Sequence, residues 1–132
     1  MNLVPGRGPL DAEIVVIGEA PGRREDAAGL PFIGPSGRLQ DQWIIGAGLN
    51  PAHIRFDNVY PLFPPQGDIT NVPYQELCQW QEDCRARLDE LPGLRVIVPT
   101  GNVALGTLLG INPWMSKITQ RRGSIYLWSQ AN

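Results

Sequence analysis

Three side chains of different chemistry lie in or beside segments that are rich in glycine and proline. Glu19 belongs to GEAPG, Phe32 belongs to LPFIG, and Asn58 lies within IRFDNVY. A carboxylate accepts hydrogen bonds, a carboxamide donates and accepts them in one plane, and a phenyl ring offers a flat apolar face. If the fold brings them together, these groups predict a site for a planar, hydrogen-bonding ligand, and a nucleobase fits that description.

Short apolar segments indicate the strands that would bring these residues together. Three segments have the pattern of strands in a parallel sheet. They are Glu13 to Gly18, Ile54 to Tyr60 and Leu94 to Pro99. Ligands of open α/β sheets bind at the carboxyl ends of the strands. We therefore expect Glu19, Asn58 and the loop after Pro99 at one end of the sheet.

Glycine, proline and helical spacing indicate the connections between the strands. The stretch from Ala20 to Gly37 is predicted to be a long loop, with Ser36 as the N-cap of a helix that Gly48 ends. Apolar residues three and four apart predict a helix from about Pro73 to Glu90. A short helix is expected after the third strand, and two strand-like pieces between Lys117 and Trp128. This order predicts an open parallel α/β sheet with right-handed crossovers.

The composition is that of one globular domain: 132 residues, 42% of them apolar and 18% charged. The 11 basic and 13 acidic residues give no overall charge that would indicate non-specific binding to nucleic acid. No apolar run reaches about 18 residues, and the first residues do not resemble a secretory signal. We therefore expect no membrane span and a cytoplasmic location. Cys78 and Cys84 are too few for a disulfide framework or a complete metal site, so reduced thiols are expected.

Several motifs together resemble one family. The run GEAPGRREDAAGLPFIGPSGRLQ resembles the signature loop of the family 4 uracil-DNA glycosylases, which belong to the α/β/α uracil-DNA glycosylase superfamily. FDNVY, a Pro-Pro pair, LRVIVPTGNVALGTLLG and KITQRRGSIY follow in the order that this family has. The resemblance implies an α/β, three-layer α/β/α sandwich with a central parallel sheet in a single domain, residues 1–132. It also implies a hydrolase of base excision repair that removes uracil from DNA by cleaving the N-glycosidic bond.

The resemblance implies a role for each of the three side chains. Phe32 would stack on a uracil extruded from the DNA, since the enzyme cannot reach the bond inside a duplex. Asn58 would read O4 and N3–H of the base, a pair of groups that cytosine does not match. Glu19 would position or activate the hydrolytic water and favour the positive charge that develops on the sugar.

The same loop supplies further candidate residues. The backbone from Gly18 through Ala20 to Gly22 would let the base or DNA approach closely, which larger side chains would obstruct. Arg23 and Arg24 are candidate contacts to DNA phosphates.

Each assignment has a structural alternative. Glu19 could cap a helix or pair with an arginine, Asn58 could satisfy backbone groups of its loop, and Phe32 could be an ordinary core residue. Arg23 could be merely solvated, as could Arg24. The acidic residues of the same motif, Glu25 and Asp26, could serve only to tie down the loop.

The chain departs from the family at the cysteines. Family 4 members carry four cysteines that bind a [4Fe-4S] cluster, but the N-terminal pair is absent here and Leu62 occupies the third place. Only Cys84 matches a ligand position, and Cys78 does not replace the others. One thiolate cannot hold the cluster. We therefore expect no iron-sulfur cluster and no other metal.

A second departure concerns the histidine that the family places in a His-Pro-Ser loop, where it hydrogen bonds to O2 of the leaving base. The only histidine of these 132 residues is His53, which is expected at the opposite end of the second strand, about 16 Å from Asn58. Weak or absent activity is therefore expected, as is a missing C-terminal segment or a homo-oligomer that covers the open sheet. The alternative function is an inactive nucleobase- or DNA-binding module related to phage or replication proteins. A Rossmann-like nucleotide binder is disfavoured because GEAPG is not GxGxxG.

Overall fold

The computed structural model describes residues 3–112, 114, 118–121 and 123–128. Strands and helices alternate along the chain, which confirms the predicted α/β class. In chain order the elements are β1 (Ile14–Gly18), α1 (Arg23–Ala28), α2 (Pro35–Gly46), β2 (Arg55–Asn58), α3 (Tyr74–Asp89), β3 (Val96–Pro99), α4 (Asn102–Leu109) and α5 (Ile118–Arg121).

The three strands form a parallel sheet in the order β2-β1-β3, with β1 in the centre. The register pairs Gly18 with Asn58 on one side of β1 and Ile17 with Pro99 on the other. Because parallel strands all end at the same edge, the sheet places the segments that follow Gly18, Asn58 and Pro99 side by side. This is the end of the sheet where ligands of open α/β folds bind.

Helices cover both faces of the sheet because side chains of β1 alternate between them. Val15 and Ile17 belong to a hydrophobic cluster formed with α3 and α4. Val16 belongs to a second cluster on the other face, with Phe56 of β2 and Ile44 of α2. The result is a helix layer, a sheet and a second helix layer, as the resemblance implies. The helix residues in the first cluster are Leu77, Cys84, Leu88, Val103 and Ala104.

The prediction of a continuous loop from Ala20 to Gly37 is wrong, because α1 occupies its middle. The segment Arg23–Ala28 contains neither glycine nor proline, although both flank it closely. Gly29 ends α1 in the left-handed region at φ 71°. The high glycine and proline content of the whole stretch therefore concealed a short helix.

The prediction of Ser36 as an N-cap is also wrong. Gly34 is the N-cap, and α2 begins at Pro35, where the fixed φ of proline suits the first helical position. The helix ends at Gly46, two residues before the predicted stop at Gly48. The second strand is shorter than predicted, while α3 matches its predicted extent closely.

The two strand-like pieces predicted after Lys117 are not strands where the structure describes them. Ile118–Arg121 is helical, and no strand occurs in residues 123–128; Lys117 itself lies outside the described residues. Strand propensity holds a strand only where another strand pairs with it. None of the described residues pairs with the outer edge of β3, where Val96 is 50% exposed and Val98 41% exposed.

The outer edge of β2 is better covered, because an antiparallel bridge joins Arg7 to Phe56. In the part of the chain that the structure describes, no helix combines the length and apolarity needed to cross a bilayer.

Candidate functional site

The candidate site lies where β1 and β2 end, and Gly18 is at its centre. A Cβ atom on Gly18 would stand 2.6 Å from Oδ1 of Asn58 and 2.7 Å from Cζ of Phe32. The carboxamide and the phenyl ring therefore both lie against the same backbone position, where only glycine leaves room for them. The structure brings Asn58 and Phe32 together, and Glu19 is the next residue of the chain.

Asn58 is a buried residue whose side chain keeps its hydrogen-bonding capacity. The residue is 4% exposed, and its backbone N–H donates to Oδ1 of Asp57 at 2.8 Å. Within the described residues, no group makes a hydrogen bond to its carboxamide. The alternative that Asn58 serves the backbone of its loop thus finds no support among the described contacts.

Phe32 is held in a conformation that non-glycine residues rarely adopt. Its φ is 58°, in the left-handed region, which costs about 1–3 kcal/mol and persists only where surrounding contacts enforce it. A Cβ on Gly37 would lie 2.0 Å from the Phe32 carbonyl oxygen, so this glycine permits a close turn. The half-buried ring packs on Phe56 with centroids 5.5 Å apart. Phe32 is therefore fixed by packing, yet it retains contact with solvent.

Arg7 supports the same loop from outside. Its guanidinium lies 4.5 Å above the Phe56 ring and donates to the carbonyl oxygens of Pro31 at 2.9 Å and of Phe32 at 3.4 Å. Sequence analysis missed this residue because its partners are more than twenty positions away along the chain.

Glu25 joins the loop after β1 to the loop that carries Phe32. Its carboxylate accepts hydrogen bonds from the backbone N–H groups of Gly22 at 3.1 Å, Ile33 at 2.9 Å and Gly34 at 2.6 Å. A Cβ on Gly22 would come within 2.8 Å of Oε1 of Glu25. The interpretation that Glu25 ties down the loop is confirmed, and Gly22 is needed for this contact. A role of Gly22 toward a ligand stays a prediction.

Glu19 follows β1 and is an exposed residue whose backbone carbonyl accepts the N–H of Tyr60 at 2.9 Å. Partial burial of its carboxyl group raises the pKa of Glu19, and the nearby Asp68 carboxylate raises it further. None of the described arginines forms an ion pair with it. A carboxylate of raised pKa is a stronger base in its ionised form.

Asp68 is a contributor that sequence analysis did not identify. Its carboxylate accepts hydrogen bonds from the backbone N–H of Thr70 at 2.9 Å and from the Thr70 hydroxyl at 2.7 Å. These bonds lower the pKa of Asp68, so its negative charge persists beside Glu19. The Asp-x-Thr spacing is a common turn signal, but only the fold brings this turn next to Glu19.

The remaining predicted residues of the first loop lie around this centre. Ala20 is half-buried and packs against the cluster on the α3 face. Arg23 and Arg24 are exposed, in the first turn of α1 and not in a loop as expected. The guanidinium of Arg23 lies 5.7 Å from the centroid of the Phe63 ring. Contacts of either arginine to phosphate stay predictions.

Asp57 and Arg87 form an ion pair directly behind Asn58. Arg87 extends from α3 and also donates to the carbonyl oxygens of Asn58 at 3.2 Å and of Val59 at 3.3 Å. Burial alone would lower the pKa of Arg87, but the Asp57 carboxylate raises it above its ordinary value. Sequence analysis missed Arg87. The signal that could have identified it is a charged residue on the apolar stripe of α3, one position before Leu88.

The cysteines and the histidine lie away from this centre. Cys84 is fully buried in the apolar cluster, and that burial raises the pKa of its thiol to about 12. Leu62 packs against the same cluster. Over the described residues, no three His, Cys, Asp or Glu side chains are grouped as metal ligands. A single cysteine, in an apolar cluster against which Leu62 also packs, does not fit a [4Fe-4S] cluster, which is held by four thiolates.

His53 lies in a short turn just before β2, at the opposite end of the strand from Asn58, as predicted. It lines an open depression of about 500 Å³ at that end. A second open depression of about 460 Å³ lies beyond the Asp68–Thr70 turn. Neither depression is lined by Glu19, Phe32 or Asn58.

This parallel sheet, with its glycine-centred site at the strand ends, matches a known class of protein. Residues 5–130 match the Uracil DNA glycosylase superfamily, and the chain belongs to this superfamily.

Its relatives are of one type within the superfamily. The chain is 45% identical to the type-4 uracil-DNA glycosylase of Archaeoglobus fulgidus over 126 residues, which is 95% of this chain and 62% of that protein. It is 35% identical to the protein of the same name from Sulfurisphaera tokodaii, over 96% of this chain and 57% of the relative. It is 32% identical to the type-4 uracil-DNA glycosylase of Saccharolobus solfataricus, over 97% of this chain and 59% of that protein. The resemblance to family 4 is thus confirmed, and the chain spans about three fifths of the length of these curated relatives.

Proposed function

We propose that the chain contains the uracil-binding core of a uracil-DNA glycosylase, which acts on uracil-containing DNA in base excision repair. The observation that carries this proposal is the common contact of the Phe32 ring and the Asn58 carboxamide with Gly18. The similarity to proteins named type-4 uracil-DNA glycosylase supports it. The cytoplasm is the proposed location.

Phe32 and Asn58 would bind the extruded base. Extrusion costs a few kcal/mol, least at a mispaired base, and stacking on an aromatic ring returns part of that cost. The half-exposed Phe32 ring would supply this stacking surface. The carboxamide of Asn58 would donate to O4 of uracil and accept from N3–H. Cytosine, with a donor and an acceptor in the reversed places, would leave both groups of a fixed carboxamide unpaired.

Glu19 would act on the water that attacks the sugar. Its raised pKa strengthens it as a base, and its negative charge favours the positive charge that develops as the glycosidic bond breaks. The bond between the sugar and the base nitrogen breaks, and the base leaves with the bonding electrons. A proton from water completes the departing uracil.

The reaction would proceed without an iron-sulfur cluster. The single Cys84, in an apolar cluster against which Leu62 also packs, supports this proposal, and the reaction itself needs no redox step.

A catalytically weak or inactive DNA-binding module is the second candidate function. His53 is the only histidine of these 132 residues, and it lies at the far end of β2. Negative charge develops on the base as it leaves. Without a preorganised hydrogen-bond donor to that charge, the rate is about 100- to 1000-fold lower. Release by these 132 residues alone is therefore expected to be slow.

Release of uracil from oligonucleotides distinguishes the two functions. We expect wild-type protein to release uracil from a single-stranded oligonucleotide and from a U:G duplex, and Glu19→Ala to lower the rate by about 100-fold or more. Glu82→Ala, an exposed change on α3, is the control and should leave the rate unchanged. Binding that prefers the uracil oligonucleotide, with no release by the wild type, would favour the inactive module. Equal release by wild type and Glu19→Ala would contradict the role of Glu19.

A further inference from the structure

We propose that Asp57 and Arg87 are positioning residues that set the direction of the Asn58 carboxamide and hence the choice of uracil over cytosine. Both act through the backbone of Asn58. The inference rests on the proposed function, because it concerns the same base-reading side chain.

Hydrogen bonds hold both polar groups of the Asn58 backbone, its N–H and its carbonyl oxygen. Its N–H donates to Oδ1 of Asp57 at 2.8 Å, and its carbonyl oxygen accepts from both terminal nitrogens of Arg87, at 3.3 and 3.2 Å. The next amide, of Val59, donates to the carbonyl oxygen of Gly18 at 2.9 Å. With φ and ψ fixed, only the two side-chain torsions of Asn58 remain. Contact with Gly18 limits these as well.

Arg87 is itself held in place by acidic partners on both sides. It forms ion pairs with Asp57 on β2 and, four residues back on α3, with Asp83 at 2.8 Å. The planar guanidinium can use several N–H groups at once, which an ammonium cannot do in the same geometry. One side chain thus joins α3 to three consecutive residues at the end of β2.

Stability alone does not account for this arrangement. Cys84 and Leu88, on either side of Arg87 along α3, already attach the helix to the sheet by fully apolar contacts. A buried ion pair contributes little net stability compared with apolar residues of similar volume. Base recognition does need the contacts of Asp57 and Arg87 with Asn58. A carboxamide turned by 180° exchanges its donor and acceptor and would then match cytosine.

The test compares variants that separate the contacts of Arg87 from its charge. Arg87→Lys keeps the charge but loses the planar fork, and Arg87→Met loses both. Because Arg87→Met leaves Asp57 buried without its partner, the double variant Asp57→Asn/Arg87→Met removes both charges and protects the fold. Arg85→Met is the matched control, since Arg85 lies on the same helix and donates to the carbonyl oxygen of Thr107 on α4, away from Asn58.

Binding is measured with two uncleavable oligonucleotides that differ in one base, 2′-fluoro-deoxyuridine or 2′-fluoro-deoxycytidine. We expect all Arg87 variants, the double variant included, to lose about tenfold or more of the wild-type preference for uracil, the effect of one misaligned hydrogen bond. Arg85→Met should keep the preference. Amide hydrogen exchange at residues 58 and 59 should accelerate in the Arg87 variants only, at temperatures where far-UV circular dichroism reports each variant as folded.

The outcomes separate this inference from the function on which it rests. Wild-type protein that binds both oligonucleotides equally and releases no uracil overturns the proposed function. A wild type that prefers uracil, together with a folded Arg87→Met or double variant that keeps this preference, overturns the positioning role. Unchanged amide exchange in those variants overturns it as well.

Discussion

A methyl group at position 18 would occupy space that the Asn58 carboxamide and the Phe32 ring already fill. The distances of 2.6 and 2.7 Å from the ideal Cβ position are shorter than van der Waals contacts, so one or both side chains must move. The two groups proposed to hold the base would therefore be displaced together.

Gly18→Ala should accordingly reduce uracil release by at least about 100-fold, while the overpacking costs about 1–3 kcal/mol of folding free energy. Single-turnover release and urea unfolding measure the two effects. Gly46→Ala is the control: outside its chain neighbours and the backbone of its own helix, no atom lies within 4 Å of its Cβ position, and alanine at this helix end should add at most about 0.5–1 kcal/mol of stability. Normal release by Gly18→Ala would contradict the assignment of the site.

The raised pKa of Glu19 predicts opposite effects on activity and on stability. Release requires the ionised carboxylate, so the rate should fall as pH decreases through a pKa above the usual 4.5. Asp68→Asn removes the second cause of the shift and should move this decline to lower pH.

Stability follows from the same shift. The folded state binds the Glu19 proton more tightly than the unfolded state does. This group therefore makes the free energy of unfolding decrease as pH rises from the pKa of Glu19 in the unfolded state to its higher pKa in the folded state. Glu19→Gln should therefore be more stable than wild type at pH 7, with the difference vanishing in acid. Urea unfolding at several pH values measures it, and a Glu19→Gln protein less stable at pH 7 would refute the sign.

Among the elements, β1 and β3 follow directly from the sequence because each is a short apolar run that ends at glycine or proline, whereas β2 was predicted from the apolar residues that surround its polar pair Asp57 and Asn58. Helix α1 does not follow, since its position depends on Glu25, whose partners Ile33 and Gly34 are eight and nine residues further on. Arg7 and Arg87 were missed for the same reason: their hydrogen bonds cross between elements. Residue type and spacing identified the groups that we propose to bind the base, but not those that hold them in place.

Glu25→Gln should uncouple the two loops that Glu25 connects. An amide cannot accept three N–H groups as a carboxylate does, so we expect a loss of about 1–3 kcal/mol in folding free energy and a lower rate of uracil release. Glu82→Gln, on the exposed face of α3, serves as the comparison. Urea unfolding with wild-type stability for Glu25→Gln would show that the carboxylate contributes little.

On the scale of the whole molecule, the open parallel sheet was predictable because it follows from the alternation of strands and helices, and the resemblance to the family implied the three-layer arrangement. The association state stays a prediction, as does a C-terminal extension. Two of the three strands lie at the edges of the sheet. The outer edge of β2 is bridged by Arg7, whereas none of the described residues pairs with the outer edge of β3.

The outer edge of β3 presents N–H and C=O groups that any extended chain can pair with, and its valines offer such a chain an apolar surface. A short synthetic peptide of alternating apolar residues could therefore act as a reversible fourth strand. The same property makes this edge a natural place to attach a reporter or a solubilising tag, since the base-binding end of the sheet would remain untouched.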